Sequence, residues 1–82
     1  MTFNTGKKIL IKRKKPYTDG ARRGVLLETY TATITKNFNG LVEYIIDEVN
    51  EVQNPPSFYK SPVGQSGAFQ EEYADLLNIT KK

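Results

Sequence analysis

The dipeptide Asn39-Gly40 lies between two runs of alternating apolar and polar residues, 26–37 and 41–52. An Asn-Gly pair in this setting is the strongest short-range signal for a β-hairpin, because both residues tolerate the positive φ angles of a type I′ turn. A two-residue turn also fixes the register of the strands on either side. We therefore expect five cross-strand pairs: Phe38–Leu41, Lys36–Glu43, Ile34–Ile45, Ala32–Asp47 and Tyr30–Val49.

A second turn is predicted at Asp19-Gly20 by the same chemistry. If these two residues form the turn, Lys14 lies opposite Val25 and Lys12 lies opposite Leu27. Pro16 cannot donate a hydrogen bond to a neighbouring strand, which favours a looser tip or a position at the edge of the sheet. Together the two turns predict a three-stranded antiparallel meander over residues 7–52.

The two predicted registers agree on which side of this sheet is buried. The predicted core side collects nine residues, all of them apolar or aromatic: Ile9, Ile11, Leu26, Tyr30, Ala32, Ile34, Leu41, Ile45 and Val49. The opposite side carries mostly Thr and charged residues, but Leu10, Val25, Leu27, Val42 and Ile46 also fall there. That side is too apolar to be entirely solvated.

A C-terminal segment, residues 68–79, supplies a candidate cover for the core side. Phe69, Tyr73, Leu76 and Leu77 fall at i, i+4, i+7 and i+8, which places them on one face of a helix. The predicted fold class is α+β and mainly β, in a single small domain spanning residues 1–82. It consists of the three-stranded meander with a long basic hairpin, a Pro-rich and Gly-rich loop at 53–67, and one helix at 68–79 packed on the sheet.

The connection 53–67 contains three prolines and two glycines, which prevent regular structure over most of its length. Long loops in small domains are usually either functional or disordered. Its middle part, residues 55–62, carries the adjacent aromatic residues Phe58 and Tyr59, and we refer to it as the aromatic loop. Aromatic side chains dominate both interfaces and cores. Phe58 and Tyr59 therefore either dock on another protein or fold back over the open end of the sheet.

Charge is distributed unevenly along the chain. Residues 7–24 contain eight Lys and Arg against one Asp, whereas residues 41–52 contain four acids and no cation. The basic hairpin is a candidate site for phosphate groups or for an acidic partner. The alternative is a solvated hairpin end whose charge prevents edge-to-edge aggregation. The candidate contact residues are Lys12, Arg13, Lys14, Lys15, Arg22 and Arg23, with Tyr17 available to stack on a base or sugar.

The chain contains no Cys and no His. Their absence excludes disulfides, thiolate zinc sites, and nucleophile–base pairs that depend on either residue type. Asp47 and Glu48 are adjacent in a predicted strand, so they point to opposite faces and do not form a metal site. We expect no catalytic residue, no metal, no cofactor and no small-molecule substrate.

Lys7 and Lys8 are followed by only three apolar residues before charge returns, far short of the core of a signal peptide. No run approaches the roughly 18 apolar residues that a membrane span requires. We therefore expect a protein that is neither secreted by a signal peptide nor bound to a membrane, and that is found in a virion or in the cytoplasm.

The chain lacks Cys and His, is rich in Thr and Asn, and combines a long basic hairpin with a Pro-rich connection. In these general features it resembles the small structural proteins of tailed-phage virions. The resemblance implies a non-catalytic structural or assembly protein. Such a protein would contact neighbouring protein subunits of an oligomer or larger assembly through the basic hairpin and the aromatic loop.

Two other functions stay open on the sequence alone. The alternative is a small nucleic-acid-binding protein whose basic hairpin contacts phosphates. A third hypothesis is a regulator that blocks a nucleic-acid enzyme by presenting the acidic strand.

Overall fold

Two tight turns organise most of the chain into long antiparallel strands. The computed structural model describes residues 3–82 and contains five strands: β1 (Lys8–Asp19), β2 (Arg22–Phe38), β3 (Leu41–Gln53), β4 (Ser66–Gln70) and β5 (Ile79–Lys81). One 3₁₀ turn, Glu71–Tyr73, follows β4. All five strands form one sheet in the order β4-β3-β2-β1-β5, and every neighbouring pair is antiparallel. The three consecutive strands of the predicted meander are neighbours in this sheet, but the predicted total of three strands is wrong, because a further strand pairs with each edge.

The two turns use different backbone conformations. Asn39 and Gly40 both have positive φ, 51° and 91°, as a type I′ turn requires, so the predicted turn is confirmed. The first turn is formed by Gly20 and Ala21, one residue later than predicted, and only Gly20 has positive φ, as in a type II′ turn. Lys14 consequently lies opposite Leu27 and not Val25. This change moves the register by two residues, so each side chain keeps its predicted face.

The register between β2 and β3 is interrupted by bulges. The predicted pairs Phe38–Leu41, Lys36–Glu43 and Tyr30–Val49 are confirmed, whereas Ile34 pairs with Tyr44 and Ala32 pairs with Ile46. The predicted pairs Ile34–Ile45 and Ala32–Asp47 are therefore wrong. An irregularity between Ile34 and Lys36 adds one residue to β2 and reverses the alternation of faces beyond it.

This reversal changes which residues of β3 are buried. Val42, Tyr44 and Ile46 belong to the core, whereas Leu41 and Ile45, which were expected there, are exposed. The expected burial of Ile9, Ile11, Leu26, Tyr30, Ala32 and Ile34 is confirmed. The sequence pattern alone predicts the buried face correctly for β1 and β2. It fails for β3, because the bulge reverses which alternate residues face the core.

The hydrophobic core lies on one face of the sheet, which we call the core face; the opposite face is the outer face. Phe69 of β4 and Ile79 of β5 stand at opposite edges of the sheet, yet both belong to the same buried cluster. The sheet therefore curls around this cluster. Phe3 completes the cluster, with its ring at 5.4 Å from that of Phe69 in an edge-to-face arrangement.

The predicted helix at 68–79 is wrong, and with it the α+β fold class. The segment forms β4, the 3₁₀ turn and β5, which makes the described chain almost entirely β. Only Phe69 of the four supposed helix-face residues is buried, at 5% exposure; Tyr73, Leu76 and Leu77 are exposed, Leu76 at 79%. A three-stranded sheet would leave backbone N–H and C=O groups unpaired along both edges, and the segment supplies partners to each edge in turn.

Both added strands lie at the same end of the meander. β4 pairs with Leu41–Ile45 of β3, and β5 pairs with Ile9–Ile11 of β1. Beyond these pairings the hairpin of β1 and β2 continues as a projecting arm, residues 12–29, and the molecule measures 44 × 22 × 17 Å. Pro16 lies in this arm, where β1 pairs with β2 alone, as its missing N–H favours.

No helix within residues 3–82 is long and apolar enough to cross a membrane.

We predict that Phe69→Ala and Leu76→Ala have very different effects on stability. Phe69→Ala removes a buried ring from the core and should lower the free energy of unfolding by about 3–5 kcal/mol. Leu76→Ala should change it by no more than about 0.5 kcal/mol, because the side chain is almost fully exposed. Urea denaturation of both variants measures this. Equal losses would indicate a helix at 68–79 and contradict the strand arrangement.

Candidate functional site

The arm brings the predicted contact residues together in sequence but divides them between two faces. Directly paired residues of neighbouring strands share a face, and successive residues alternate. Arg13, Lys15, Tyr17 and Arg22 lie on the core face, paired with Glu28, Leu26, Gly24 and Asp19. Lys12, Lys14 and Arg23 lie on the outer face, paired with Thr29, Leu27 and Thr18. The six cations and Tyr17 therefore form two surfaces and not one.

On the outer face, cations and acids are arranged in rows across the sheet. Lys12 of β1, Thr29 of β2 and Glu51 of β3 form one row, and the next is formed by Lys14, Leu27 and Gln53. The Gln53 side-chain amide donates to the Glu51 carboxylate at 2.6 Å, which places both on this face. Each row is thus positive over β1 and polar or negative over β3, with β2 between them.

The middle strand of the arm is partly apolar on the outer face. Val25 and Leu27 of β2 are both exposed there. Within residues 3–82, neither Lys12 nor Lys14 forms an ion pair. The outer face of the arm consequently offers unneutralised cations beside exposed aliphatic side chains.

Further from the tip, two acids on the outer face, Asp47 and Glu48, have cations beside them. Asp47 accepts hydrogen bonds from the Thr33 hydroxyl and from Lys8 Nζ, at 2.5 and 2.9 Å. These two bonds, with the hydroxyl contributing most, lower the pKa of Asp47. Glu48 lies 3.9 Å from Lys82 Nζ on the same face, and not on the opposite face as expected, because the irregularity between Thr31 and Ala32 adds a residue to β3. Glu51 is the acid that lies beside the arm.

The aromatic loop is fastened to the core face of the arm by hydrogen bonds. The Ser57 amide and hydroxyl donate to the two carboxylate oxygens of Asp19, at 2.9 and 3.0 Å. The Tyr17 hydroxyl donates to the Asn54 carbonyl at 2.9 Å, and Arg22 donates to the Asn54 side chain at 3.2 Å. The Ser57 amide is also the largest of the causes that lower the pKa of Asp19.

The two loop aromatics have different environments. Tyr59 folds back against the sheet and is half-buried. Phe58 remains 60% exposed, with its ring 6.4 Å from that of Tyr17 in an edge-to-face arrangement. Tyr59 therefore fits the alternative in which the loop folds back over the sheet. Phe58 remains exposed and is available for contact.

A cavity of about 380 Å³ separates the aromatic loop from the arm. Its walls include the rings of Tyr17, Tyr30, Phe58 and Tyr59, and the side chain of Glu28 lies at its base. We call it the aromatic pocket. It joins residues of the basic hairpin and of the aromatic loop that the sequence pattern treats as separate sites.

Glu28 is the residue of this pocket that sequence analysis missed. Its side chain is only 3% exposed, and the nearest cation is Lys15 Nζ at 4.0 Å. Burial, followed by the nearby Glu28 carboxylate, raises the pKa of both Tyr30 and Tyr59. The Tyr59 hydroxyl is buried and makes no hydrogen bond. A signal was present: Glu28 is the one charged residue between Leu26 and Tyr30 on the predicted core side.

Within residues 3–82, no group of three or more acidic side chains is placed to hold a metal ion. Comparison with known proteins finds no match to this chain among protein-family models, curated proteins or solved structures. Its function must therefore be inferred from its own residues and their arrangement.

We predict that the Asp19–Ser57 interaction holds the aromatic loop on the arm in a pH-dependent way. The pKa of Asp19 is lowered from its ordinary value of 3.8, so the interaction is complete above that pH and disappears as the pH falls through the folded-state pKa. The Ser57 amide resonance should shift below pH 3.8 towards its position in Asp19→Ala. Two-dimensional NMR measures this. Asp75→Ala, which removes an acid away from the loop, is the control and should leave the resonance unchanged.

Proposed function

We propose that this protein is a non-catalytic assembly subunit whose arm packs, through its outer face, on a second copy of the same chain. The observation that carries the proposal is the row Lys12–Thr29–Glu51, in which a free cation and an acid flank a central strand. The row is self-complementary. When the row of a second copy lies over it in the reverse order, Lys12 of each copy lies over Glu51 of the other.

A two-fold axis parallel to β2 satisfies this complementarity. Rotation about such an axis exchanges the β1 and β3 sides of the partner while keeping the strands aligned. Lys12 of each copy then lies over Glu51 of the other, and the β2 residues Leu27 and Thr29 meet their own counterparts. Aligned packing of two sheets is a common arrangement in β-sandwiches, and two-fold pairs are the commonest homo-oligomers.

The outer face is also suited to burial by size and composition. Contact that extends from the arm over the whole outer face, whose broad side is 44 × 22 Å, would reach the roughly 800 Å² per partner that a stable interface buries. Val25 and Leu27 would be covered along its middle strand, and Lys12 and Lys14 would lie on the β1 side. Burial of apolar groups supplies affinity, whereas rim charges mainly set orientation and specificity.

The general resemblance to structural proteins of tailed phages supports an assembly role and suggests a setting for it. In this proposal the chain is a component of such a virion, and it is found in the cytoplasm before assembly. Phe58, exposed on the other side of the arm, is then available to neighbouring subunits of other kinds.

Nucleic-acid binding is a second candidate because of one observation at the tip. β3 ends opposite Leu27, so the rows of the arm beyond it contain no acid on the outer face. Arg23 is exposed there, Lys14 is exposed in the last row that β3 reaches, and Arg22 projects from the core face. A surface of this kind can contact phosphates without base specificity.

A charge-reversal cycle tests the assembly proposal. Lys12→Glu or Glu51→Lys alone places like charges together twice in the dimer, and we expect either change to weaken self-association about tenfold or more. The double variant restores opposite charges and should recover most of the affinity. Size-exclusion chromatography with light scattering over a concentration series measures this. Lys60→Glu is the matched control, since Lys60 lies on the aromatic loop and should have no effect.

Within one copy, Lys12 and Glu51 are separated by β2, so the same variants should melt at nearly the parent temperature. Parent protein that stays monomeric at all concentrations would contradict the proposal, as would a double variant no better than the singles. If the monomer instead binds duplex DNA with submicromolar affinity, the second candidate is correct. Neutralising Lys14, Lys15, Arg22 and Arg23 should then reduce the slope of log K against log salt by about 0.9 for each phosphate that the arm no longer neutralises.

A further inference from the structure

The aromatic pocket has the size and lining of a ligand site and lies on the side of the arm opposite the proposed dimer contact. Its volume of about 380 Å³ falls within the range of small-molecule sites. Four aromatic rings, those of Tyr17, Tyr30, Phe58 and Tyr59, surround a single buried carboxylate. The lining also includes the polar side chains of Lys15, Lys60 and Gln65. A mostly apolar and aromatic wall with a few polar groups is the usual design of a ligand site.

The carboxylate of Glu28 is poorly neutralised for a buried charge. A buried carboxylate is normally held by a close cation or by several hydrogen bonds. Lys15 Nζ stands 4.0 Å away, at the outer limit of an ion pair, and its side chain is 55% exposed. Arg13, paired with Glu28 across the strands, directs its guanidinium towards the Tyr44 hydroxyl at 3.4 Å. The Tyr30 and Tyr59 hydroxyls also lie beside this carboxylate. The close neighbours of Glu28 are therefore neutral, and its one cation is loosely held.

The aromatic rings favour the same ligand charge as Glu28 does. The faces of Tyr and Phe rings carry negative electrostatic potential and attract ammonium and guanidinium groups. An anion in the pocket would be repelled by the Glu28 carboxylate, and the two cations of the lining, Lys15 and Lys60, are both exposed to solvent. A neutral ligand would not neutralise the charge of the Glu28 carboxylate. A cationic group is thus the only one of the three that improves the environment of the carboxylate.

We propose that the aromatic pocket binds an alkylammonium or guanidinium group, with Glu28 as its counter-ion and the rings of Tyr30 and Tyr59 as its walls. Lys15 acts as a resident cation that the ligand displaces into solvent. The cationic group comes either from a free amine or from a Lys or Arg side chain of a peptide. Both sources present the same kind of cationic group. They differ only in the part of the ligand that lies outside the pocket.

Titration with small probes tests the proposal and distinguishes the sources. The probes are n-butylammonium and the peptide Gly-Gly-Lys-Gly-Gly, each with a neutral counterpart: n-butanol and the same peptide with norleucine. Tyrosine ring resonances in NMR spectra report binding. We expect saturable shifts of the Tyr30 and Tyr59 rings with the cationic probes and none with the neutral ones. Tighter binding of the peptide than of the free amine identifies a protein side chain as the source.

Two variants link binding to the proposed residues. Glu28→Gln should weaken binding of the cationic probes at least tenfold, whereas Lys15→Met should strengthen it severalfold by removing the competing cation. Glu48→Gln, which alters an exposed carboxylate on the outer face, is the matched control and should have no effect. If Glu28→Gln does not fold, the stronger binding expected of Lys15→Met and the unchanged binding expected of Glu48→Gln still test the proposal.

Three results would overturn the proposal. The first is equal binding of the neutral and cationic probes, which would indicate a purely apolar cavity. The second is binding of n-butyrate that Lys15→Met abolishes, which would indicate an anion site. The third is an absence of shifts in the Tyr30 and Tyr59 resonances at probe concentrations up to about 50 mM, beyond the millimolar range of weak specific binding.

Discussion

The pairing of β2 with its two neighbours determines nearly everything else in this protein. β2 is 17 residues long and lies at the centre of the sheet, with β1 on one side and β3 on the other. Alternation along β2 places successive side chains on the core face and on the outer face. Each residue that pairs with β2 lies on the same face as its partner. A shift of one residue in either register would exchange the faces of a whole strand. Both the hydrophobic core and the charge rows of the outer face depend on this register.

The sequence predicts the two hairpins because the physical cause of each is local. Positive φ at Asn39 and Gly40 requires those residue types, and the turn then fixes its neighbours. The bulge after Ile34 has no comparable local signature, so the alternation pattern assigns Val42 and Leu41 to the wrong faces. The error at 68–79 has another cause. Helical spacing of only four apolar residues is weak evidence for a helix. The unpaired backbone groups at the two open sheet edges favour strand pairing by this segment instead.

The candidate site shows that charged residues close together in sequence need not form one charged surface. Six cations close together in sequence suggest one basic patch, but alternation along β1 and β2 separates Lys12 and Lys14 from Arg13 and Lys15. The pocket is not predictable in the same way, since it forms only when the aromatic loop folds back onto the arm. What the sequence does show is Glu28, a charged residue at a core-face position. A charge placed where periodicity requires an apolar side chain indicates a function more specifically than a cluster of exposed lysines does.

The two proposed contacts are compatible because they use opposite faces of the same strands. Leu27 and Thr29 point to the outer face, while Glu28 between them points into the aromatic pocket. A dimer formed about an axis parallel to β2 would bury the former residues and leave the pocket of each copy on an external surface of the sandwich. The two pockets would then face in opposite directions. A pair of subunits arranged in this way presents two equivalent cation-binding sites, so it can bridge two partners where a single copy holds one.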